Sequence, residues 1–366
     1  MSQPYGRIFI VQSNLERTLS ELIAIPSVTS NTIACHEILA YVRSTLASTD
    51  MFIRDNISIP NPWILATTQD TLEPDILLVT HLDVAPAEES MFKLRNQDGK
   101  LQGRGVYDMK FAAACYIELI KAHGNDLKKL NIGFLFTTDE ESGGECMPGI
   151  LDMGLKPKVA FIPDGGDDWK IEARAKGLYG VQLTAHGLTA HSSRPHEGDN
   201  AIHKLMDAIA TLRKSYPNTE PSGATLSVNA LKAGSGALTQ LADQASATLD
   251  FRTFSENELT AFRSQVEELA RTHNLDMHIN YHGAPLLFDK DASVVQTFLH
   301  ALQKQTGKDV EYMESYGATD GRYFAEHGIP CIITEPRGGN RHGPEEWLKT
   351  EDLGAYYELI ERWLIQ

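Results

Sequence analysis

Short apolar runs alternate with amphipathic segments over much of the chain. Continuous apolar or β-branched runs predict buried strands, at residues 75–81, 132–138, 159–164 and 330–336. Apolar residues at helical spacing predict helices, at residues 15–25, 36–46, 109–123, 293–306 and 353–364. Strands without polar alternation are buried on both faces. This order therefore predicts an α/β fold with a mostly parallel, mixed sheet covered by helices.

The middle of the chain follows a different pattern. Residues 177–187 alternate between apolar and polar positions, as a half-exposed strand does, and further segments continue the order βαββαβ. This order is typical of a ferredoxin-like α+β domain. We therefore expect residues 177–284 to form an inserted lid or dimerisation domain. Residues 1–176 and 285–366 are then expected to form a catalytic, metal-binding domain.

Charge and composition exclude several classes of partner. The 366-residue chain has a formal net charge of −16, and its Lys and Arg residues form no cluster. Neither a nucleic acid nor an anionic membrane is an expected partner, because both need clustered cations. The N-terminus lacks the features of a signal peptide, and no apolar run approaches the roughly 18 residues of a membrane span. The four scattered cysteines argue against a disulfide framework and against thiolate-bound zinc. We expect a cytoplasmic protein.

Potential metal ligands follow the predicted strands or lie in loops beyond them, at His81, Asp83, Asp108, Glu140, Glu141, Asp164 and His342. Singly, they have plainer interpretations: Asp108 as a helix cap, Asp164 as a turn residue and His342 as a surface histidine. Together they would crowd carboxylates at one sheet edge, where ligands bind in α/β folds. We therefore expect two divalent ions, with Zn²⁺ preferred and Co²⁺ or Mn²⁺ as alternatives.

Five motifs in this order resemble one enzyme family: "THLDVAPA", "GRGVYDMK", "TTDEESGG", "TAHSSRP" and "RHGPEEW". The chain is similar, over nearly its whole length, to the dizinc peptidases and deacylases. That family includes acetylornithine deacetylase, succinyl-diaminopimelate desuccinylase, carboxypeptidase G and the aminoacylases. The resemblance implies a zinc-peptidase-like fold and a metal-activated water that attacks an amide bond.

The resemblance also implies roles for the strand-end residues. Asp108 would bridge two metal ions. His81 and Asp164 would complete one site, and Glu141 and His342 the other. Glu140 would be the general base, and Asp83 would orient His81. Asp139 has no implied role and is interpreted as a turn residue.

Further roles fall on the inserted segment. The resemblance implies that His191 donates to the oxyanion, reaching the active site of a partner subunit in a homodimer formed through the inserted domain. A plain turn histidine is the alternative. Arg252 resembles a residue that pairs with a substrate carboxylate, although a surface ion pair is nearly as well favoured. Asn229 is expected to add a polar contact. Asp320 is interpreted as a helix cap.

The predicted function is metal-dependent hydrolysis of an amide bond in a small N-acyl amino acid, as deacetylases and desuccinylases perform it. The alternative is a dipeptidase, aminopeptidase or carboxypeptidase acting on small peptides. Asp164 suggests this alternative, because the deacylase and carboxypeptidase members usually have Glu there and the di- and aminopeptidase members Asp. An inactive metal-binding scaffold is a third interpretation, but Glu140 and all five ligand positions are filled.

Overall fold

A computed structural model describes residues 3–218, 220–234 and 236–365, with the backbone alone for residues 3–9. Its helices are α1 (Gln3–Ile23), α2 (Thr32–Leu46), α3 (Lys110–Leu127), α4 (Cys146–Asp152), α5 (Ala201–Ser215), α6 (Glu256–Thr272), α7 (Ser293–Thr306), α8 (Gly321–Glu326) and α9 (Thr350–Ile365).

The strands are β1 (Phe52–Asn56), β2 (Trp63–Thr67), β3 (Ile76–His81), β4 (Arg95–Gln97), β5 (Lys100–Gln102), β6 (Ile132–Thr137), β7 (Val159–Ile162), β8 (Ile171–Ala175), β9 (Gly177–His186), β10 (Thr225–Ala233), β11 (Gln244–Thr253), β12 (Leu275–Gly283), β13 (Tyr312–Ser315), β14 (Cys331–Ile333), β15 (Gly338–Gly339) and β16 (Trp347–Lys349).

The chain divides into two compact units. The first comprises residues 1–173, 287–315 and 319–366, and the second comprises residues 174–286 and 316–318. The catalytic and dimerisation roles that the sequence suggests for these two parts stay predictions.

The main sheet of the first unit has six strands in the order β1-β2-β6-β3-β7-β14. Strands β6, β3, β7 and β14 are parallel to one another, whereas β2 pairs antiparallel with both of its neighbours, β1 and β6. The predicted α/β class with a mostly parallel, mixed sheet is therefore confirmed. The carboxyl ends of the parallel strands share one edge, and the predicted ligands follow them.

Aromatic side chains link the sheet of the first unit to its helices. Phe161 on β7 packs against Trp363 of α9, with ring centroids 5.5 Å apart, and against Tyr356 on the same helix. Phe111 at the start of α3 meets Tyr356 edge-on at 5.0 Å. Burial of each large apolar side chain contributes about 2 kcal/mol. This core therefore anchors the strands on which the site is built.

The second unit has the predicted ferredoxin-like order. Its elements follow one another as β9, α5, β10, β11, α6 and β12, and the four strands form an antiparallel sheet in the order β10-β11-β9-β12. Alternate residues of β11 are buried, as period-two patterning requires. The buried side belongs to a core in which Phe251 of β11 stacks on Phe262 of α6, with centroids 4.0 Å apart.

Several strands of the first unit were not predicted from the sequence. Strands β1 and β2 extend the main sheet at its antiparallel edge, and β15-β16-β5-β4 form a separate small sheet. All three residues of β4 are exposed, so its sequence carries no apolar pattern. Among the described residues, no helix has the length and apolar character needed to cross a membrane.

Candidate metal centre

Three parallel strands carry potential ligands to one edge of the sheet. His81 is the last residue of β3, and Asp164 follows the end of β7 by two residues. Beyond β6 the chain forms a single 3₁₀ turn, Glu140–Ser142, that contains two of the three consecutive acids. Because parallel strands end together, these side chains converge although they are far apart in sequence.

Six side chains form two groups of potential ligands. The ligand atoms of His81, Glu140 and Asp164 lie within 4.8 Å of one another, as do those of Asp108, Glu141 and His342. The structure thus brings together all five predicted metal ligands and the predicted base. Their individual roles stay predictions.

Asp108 connects the two groups. Its Oδ1 lies 3.0 Å from Nε2 of His81, and its Oδ2 lies 3.1 Å from Nε2 of His342. Nε2 of His342 also lies 2.9 Å from Oε2 of Glu141. The Asp108 carboxylate therefore faces a different histidine with each oxygen, which is the arrangement a bridging ligand needs. Asp108 is not the predicted helix cap, since Met109 occupies the N-cap position of α3.

Asp83 supports this centre from behind. Nδ1 of His81 lies 3.0 Å from the carbonyl oxygen of Asp83 and 3.5 Å from its Oδ1. A proton on Nδ1 satisfies these acceptors and leaves the Nε2 lone pair for a metal. The buried carboxylate also accepts from the backbone N–H groups of Glu140 and Glu141, each at 3.2 Å. Asp83 thus orients His81 chiefly through its carbonyl oxygen and the acidic turn through its side chain.

Burial and mutual repulsion dominate the electrostatics. Burial, followed by the charge of Asp164, raises the pKa of Glu140 well above its ordinary value. Burial raises the pKa of Glu141 to about 7, and burial with the charge of Asp108 raises that of Asp164 to about 6. These carboxylates are held where their ionised forms repel one another. Divalent cations would relieve that repulsion, and a mixed set of imidazole and carboxylate donors suits Zn²⁺, Co²⁺ or Mn²⁺. The residues present therefore fit a pair of ions.

Glu346 and Arg104 support the Asp108 loop, and neither residue was predicted to belong to the site. Oε1 of Glu346 accepts from the backbone N–H of Tyr107 at 2.8 Å and of Asp108 at 3.1 Å. Its Oε2 accepts from Arg104 Nη1 at 2.6 Å, and Arg104 Nη2 donates to the carbonyl of His342 at 2.9 Å. Both side chains are buried. Glu346 lies within the quoted "RHGPEEW" motif, which was the available signal.

Two further acidic residues, Asp139 and Asp320, have structural roles that differ from the predicted ones. Asp139 is more than a turn residue, since it is buried and accepts from the backbone N–H and the thiol of Cys146, at 2.8 and 2.9 Å. The interpretation of Asp320 as a helix cap is wrong, since its side chain makes no capping hydrogen bond. It is buried against Gly144, where a Cβ atom would lie 2.3 Å from its Oδ1. Both acids pack beside the turn that carries Glu140.

The three predicted residues of the second unit lie at its surface or near it. His191 is exposed, and its Nδ1 lies 2.8 Å from the hydroxyl of Ser193. Arg252 forms two hydrogen bonds with the carboxylate of Asp250, at 2.9 and 3.2 Å. The exposed Asn229 occupies a bulge of β10. Their functional roles stay predictions.

Comparison with known proteins now identifies the family. Residues 77–366 match the model of peptidase family M20/M25/M40. A succinyl-diaminopimelate desuccinylase from Hahella chejuensis is 26% identical, over 93% of this chain and 94% of that protein. One from Marinobacter nauticus is 27% identical, over 94% of this chain and 96% of that protein.

Solved structures share the fold. An aminopeptidase PepT from Bacillus cereus superposes with a TM-score of 0.76 at 21% identity, over 97% of this chain and 98% of that one. A tripeptidase from Staphylococcus aureus has a TM-score of 0.77 at 20% identity, over 97% of each chain. A dinuclear metal-binding M20 peptidase from Bacillus subtilis has a TM-score of 0.70 at 17% identity, over 97% and 98%. The chain thus belongs to peptidase family M20/M25/M40 and is a metal-dependent hydrolase of amide or peptide bonds.

Proposed function

We propose that this protein hydrolyses the amide bond of a small N-acyl amino acid at a centre of two divalent ions. One observation carries the proposal: the Asp108 carboxylate spans two groups of ligands, and one of them also contains Glu140. In a two-metal hydrolase, one carboxylate can bridge the ions while a neighbouring carboxylate serves as the base. Desuccinylases that align with more than nine-tenths of the chain support this proposal.

The two ions would be held as the resemblance implies. His81 and Asp164 would bind one, Glu141 and His342 the other, and Asp108 both. When bound, the ions would lower the pKa of a water molecule and polarise the scissile carbonyl. Zn²⁺ is the proposed metal, because imidazole nitrogen and carboxylate oxygen are both among its usual ligands.

Glu140 is proposed as the general base and acid. It takes the proton from the attacking water and later delivers it to the leaving amine. Burial raises the pKa of Glu140, which supports this role because a carboxylate with a raised pKa is a stronger base towards the attacking water. Asp83 fixes the backbone of Glu140 through the N–H and thereby limits the directions its side chain can take.

The second unit is proposed to complete the site. His191 would donate a hydrogen bond to the oxyanion in a partner subunit, within a homodimer formed through this unit. Arg252 would bind the substrate carboxylate, and Asn229 would add a polar contact. The exposure of His191 and the two-pronged contact of Arg252 with the Asp250 carboxylate support these proposals. The protein would act in the cytoplasm, without nucleic acid or membrane as a partner.

A peptidase acting on small peptides is the second candidate. The structures of an aminopeptidase and a tripeptidase superpose on nearly the whole chain. Asp164 also favours this candidate, because an aspartate reaches less far than the glutamate usual in deacylases and leaves more room beside the scissile bond. The two candidates share the chemistry and differ in the substrate's amino side.

A substrate panel separates the candidates. The zinc- or cobalt-loaded protein is incubated with N-acetyl amino acids, N-succinyl-diaminopimelate, and unblocked di- and tripeptides. Chelated protein serves as the control. Turnover of blocked substrates alone establishes the deacylase. Turnover of free peptides alone establishes the peptidase, and metal-independent turnover contradicts both.

A further inference from the structure

Arg341 immediately precedes His342 but contacts the other ligand group. Its Nη1 lies 3.7 Å from Oδ1 of Asp164. Its Nη2 forms a short hydrogen bond with the carboxylate of Glu335, which is fully buried. Glu335 also accepts a hydrogen bond from the hydroxyl of Tyr107, and the guanidinium lies over that ring, 5.1 Å from its centroid. Arg341 therefore connects Asp164, a predicted metal ligand, to the buried side chain of Glu335.

A single turn directs the side chains of Arg341 and His342 towards different groups of potential ligands. The backbone is left-handed at Asn340 and at His342, with φ of 59° and 57°, and the N–H of Gly343 donates to the carbonyl of Asn340 at 2.9 Å. The imidazole of His342 then faces Asp108 and the guanidinium of Arg341 faces Asp164. The turn thus contributes to both groups at once.

Asp164 lies near other acidic side chains, so the orientation of its carboxylate depends on its neighbours. The chain after it packs so closely that a Cβ on Gly165 would lie 2.3 Å from a carboxylate oxygen of Glu172, which is itself buried. Like charges nearby would push an unsupported Asp164 carboxylate away from its position. Arg341 supplies a cation 3.7 Å from Asp164 in these acidic surroundings.

The contribution of Arg341 is expected to be orientation more than net charge. Its positive charge is matched by the carboxylate of Glu335, so the pair exerts little net field on a more distant divalent ion. The planar guanidinium, in contrast, holds its two terminal nitrogens in a fixed fork. One nitrogen anchored on Glu335 fixes where the other meets Asp164.

We propose that Arg341 is a positioning residue of the metal centre. Its bridge between Glu335 and Asp164 fixes the direction of Asp164 and so sets the affinity of the ion that Asp164 binds. This inference rests on the proposed function, because it takes Asp164 as a metal ligand. It predicts that a substitution of Arg341 weakens binding of the ion proposed at His81 and Asp164. The ion proposed at Glu141 and His342 should stay bound.

The test is a calorimetric titration of Co²⁺ into metal-free protein, with the cobalt absorption spectrum recorded at each step. Wild type is compared with Arg341→Lys, which keeps the charge but loses the fork, and with Arg341→Gln. Arg337→Gln is the matched control, since Arg337 pairs with Glu351 and Asp352 instead. Both Arg341 variants should bind one ion normally and the other about 10- to 100-fold more weakly. The control should bind both ions as wild type does.

A kinetic readout separates positioning from general damage. If Arg341 acts through metal occupancy, excess Co²⁺ restores the kcat of Arg341→Lys towards that of wild type. Because excess ion can also stabilise a weakened fold, only variants that are folded without metal enter this comparison. Circular dichroism of the metal-free variants identifies any that fail to fold, and Arg341→Lys then carries the test.

The outcomes distinguish the two proposals. Wild-type protein that binds fewer than two ions contradicts the proposed function, whatever Arg341 does. Wild-type protein that binds two ions, with unchanged affinities in Arg341→Lys, overturns the role of Arg341 alone. An equal loss of both ions also overturns it, because the bridge reaches Asp164 and not the Glu141–His342 group.

Discussion

The predicted site residues of the two units are held in different ways. In the first unit, Asp83 and Asp108 are buried, and each makes several hydrogen bonds to partners that are themselves fixed. In the second unit, His191 is exposed, and Arg252 keeps contact with Asp250 on its own strand. Rigid ligands suit metal ions, which demand fixed distances, whereas residues that meet a substrate must exchange partners. The comparison predicts that variants of the first unit alter the metal centre or the proton transfer there, whereas variants of the second unit act on the substrate and leave the bound ions in place.

Replacing the proposed base should have the largest effect. Glu140→Gln keeps the size of the side chain but cannot accept a proton, so kcat should fall on the order of 10²- to 10⁴-fold. Metal analysis should still find two bound ions, because Glu140 is proposed as the base and not as a ligand. Glu145→Gln, at an exposed acid on the same loop, is the matched control. Near-normal turnover of Glu140→Gln would remove it from the mechanism.

His191→Asn tests whether the second unit takes part in catalysis. Asparagine keeps an N–H donor but has a shorter side chain, so the donor no longer reaches the position of the imidazole Nε2. The value of kcat should fall on the order of 10²- to 10³-fold, with KM little changed. His196→Asn, another exposed histidine nearby, should have no such effect.

Mixing two inactive variants tests the role of His191 in a partner subunit. Glu140→Gln and His191→Asn homodimers, mixed and allowed to exchange, should regain about a quarter of wild-type activity, because half the dimers would contain one intact site. No recovery despite proven exchange would place His191 in its own subunit's site. A fully active monomer by sedimentation would exclude the dimer mechanism altogether.

Glu346→Gln tests the rigidity of the first unit without touching a proposed ligand. The glutamine amide places an N–H donor where the carboxylate accepted from Arg104 and from three backbone N–H groups. The buried Arg104 also loses its ionic partner. The free energy of unfolding of the metal-free protein should fall by about 3 kcal/mol in urea titrations. Metal affinity should fall about 10- to 100-fold. Glu345→Gln, the exposed neighbour, should leave both quantities at wild-type values.

Arg252→Lys should have the smallest effect. A single ammonium replaces a two-pronged contact, so KM should rise about tenfold for substrates with a free carboxylate. The matching substrate with an amidated carboxylate should show no further loss. Arg213→Lys on α5 is the exposed control. If the variant affects both substrates equally, Arg252 serves only its ion pair with Asp250.

The strand ends were predictable from sequence for a physical reason. Buried parallel strands consist of continuous apolar residues, so the point at which each becomes polar marks the ligand-binding edge of the sheet. His81 and Asp164 both lie at such points, and the structure brings them to within 4.8 Å. The four parallel strands of the main sheet follow from the same pattern, and the ferredoxin-like order follows from the alternation of apolar and polar residues in the middle of the chain.

What sequence reasoning missed depends on distant partners. Glu346 and Arg104 lie 242 residues apart, and neither shows locally that it contacts the other or the Asp108 loop. Asp320 begins a helix and looks like a cap, yet its burial comes from Gly144, a residue of another segment. The exposed strand β4 forms only because β5 pairs with it. In each case the tertiary partner, not the local pattern, decides the role.

The distance between Asp108 and His342 along the chain also affects when the enzyme becomes active during synthesis. The two residues are 234 positions apart, yet their side chains meet. A nascent chain leaves the ribosome N-terminus first, so it carries the other four proposed metal ligands, His81, Asp108, Glu141 and Asp164, long before His342 emerges. Glu346 and α9, which stabilise the loop and the core, arrive later still. On the proposed set of ligands, hydrolytic activity therefore appears only after His342 has emerged and folded into place, and products of translation interrupted before that residue would lack it.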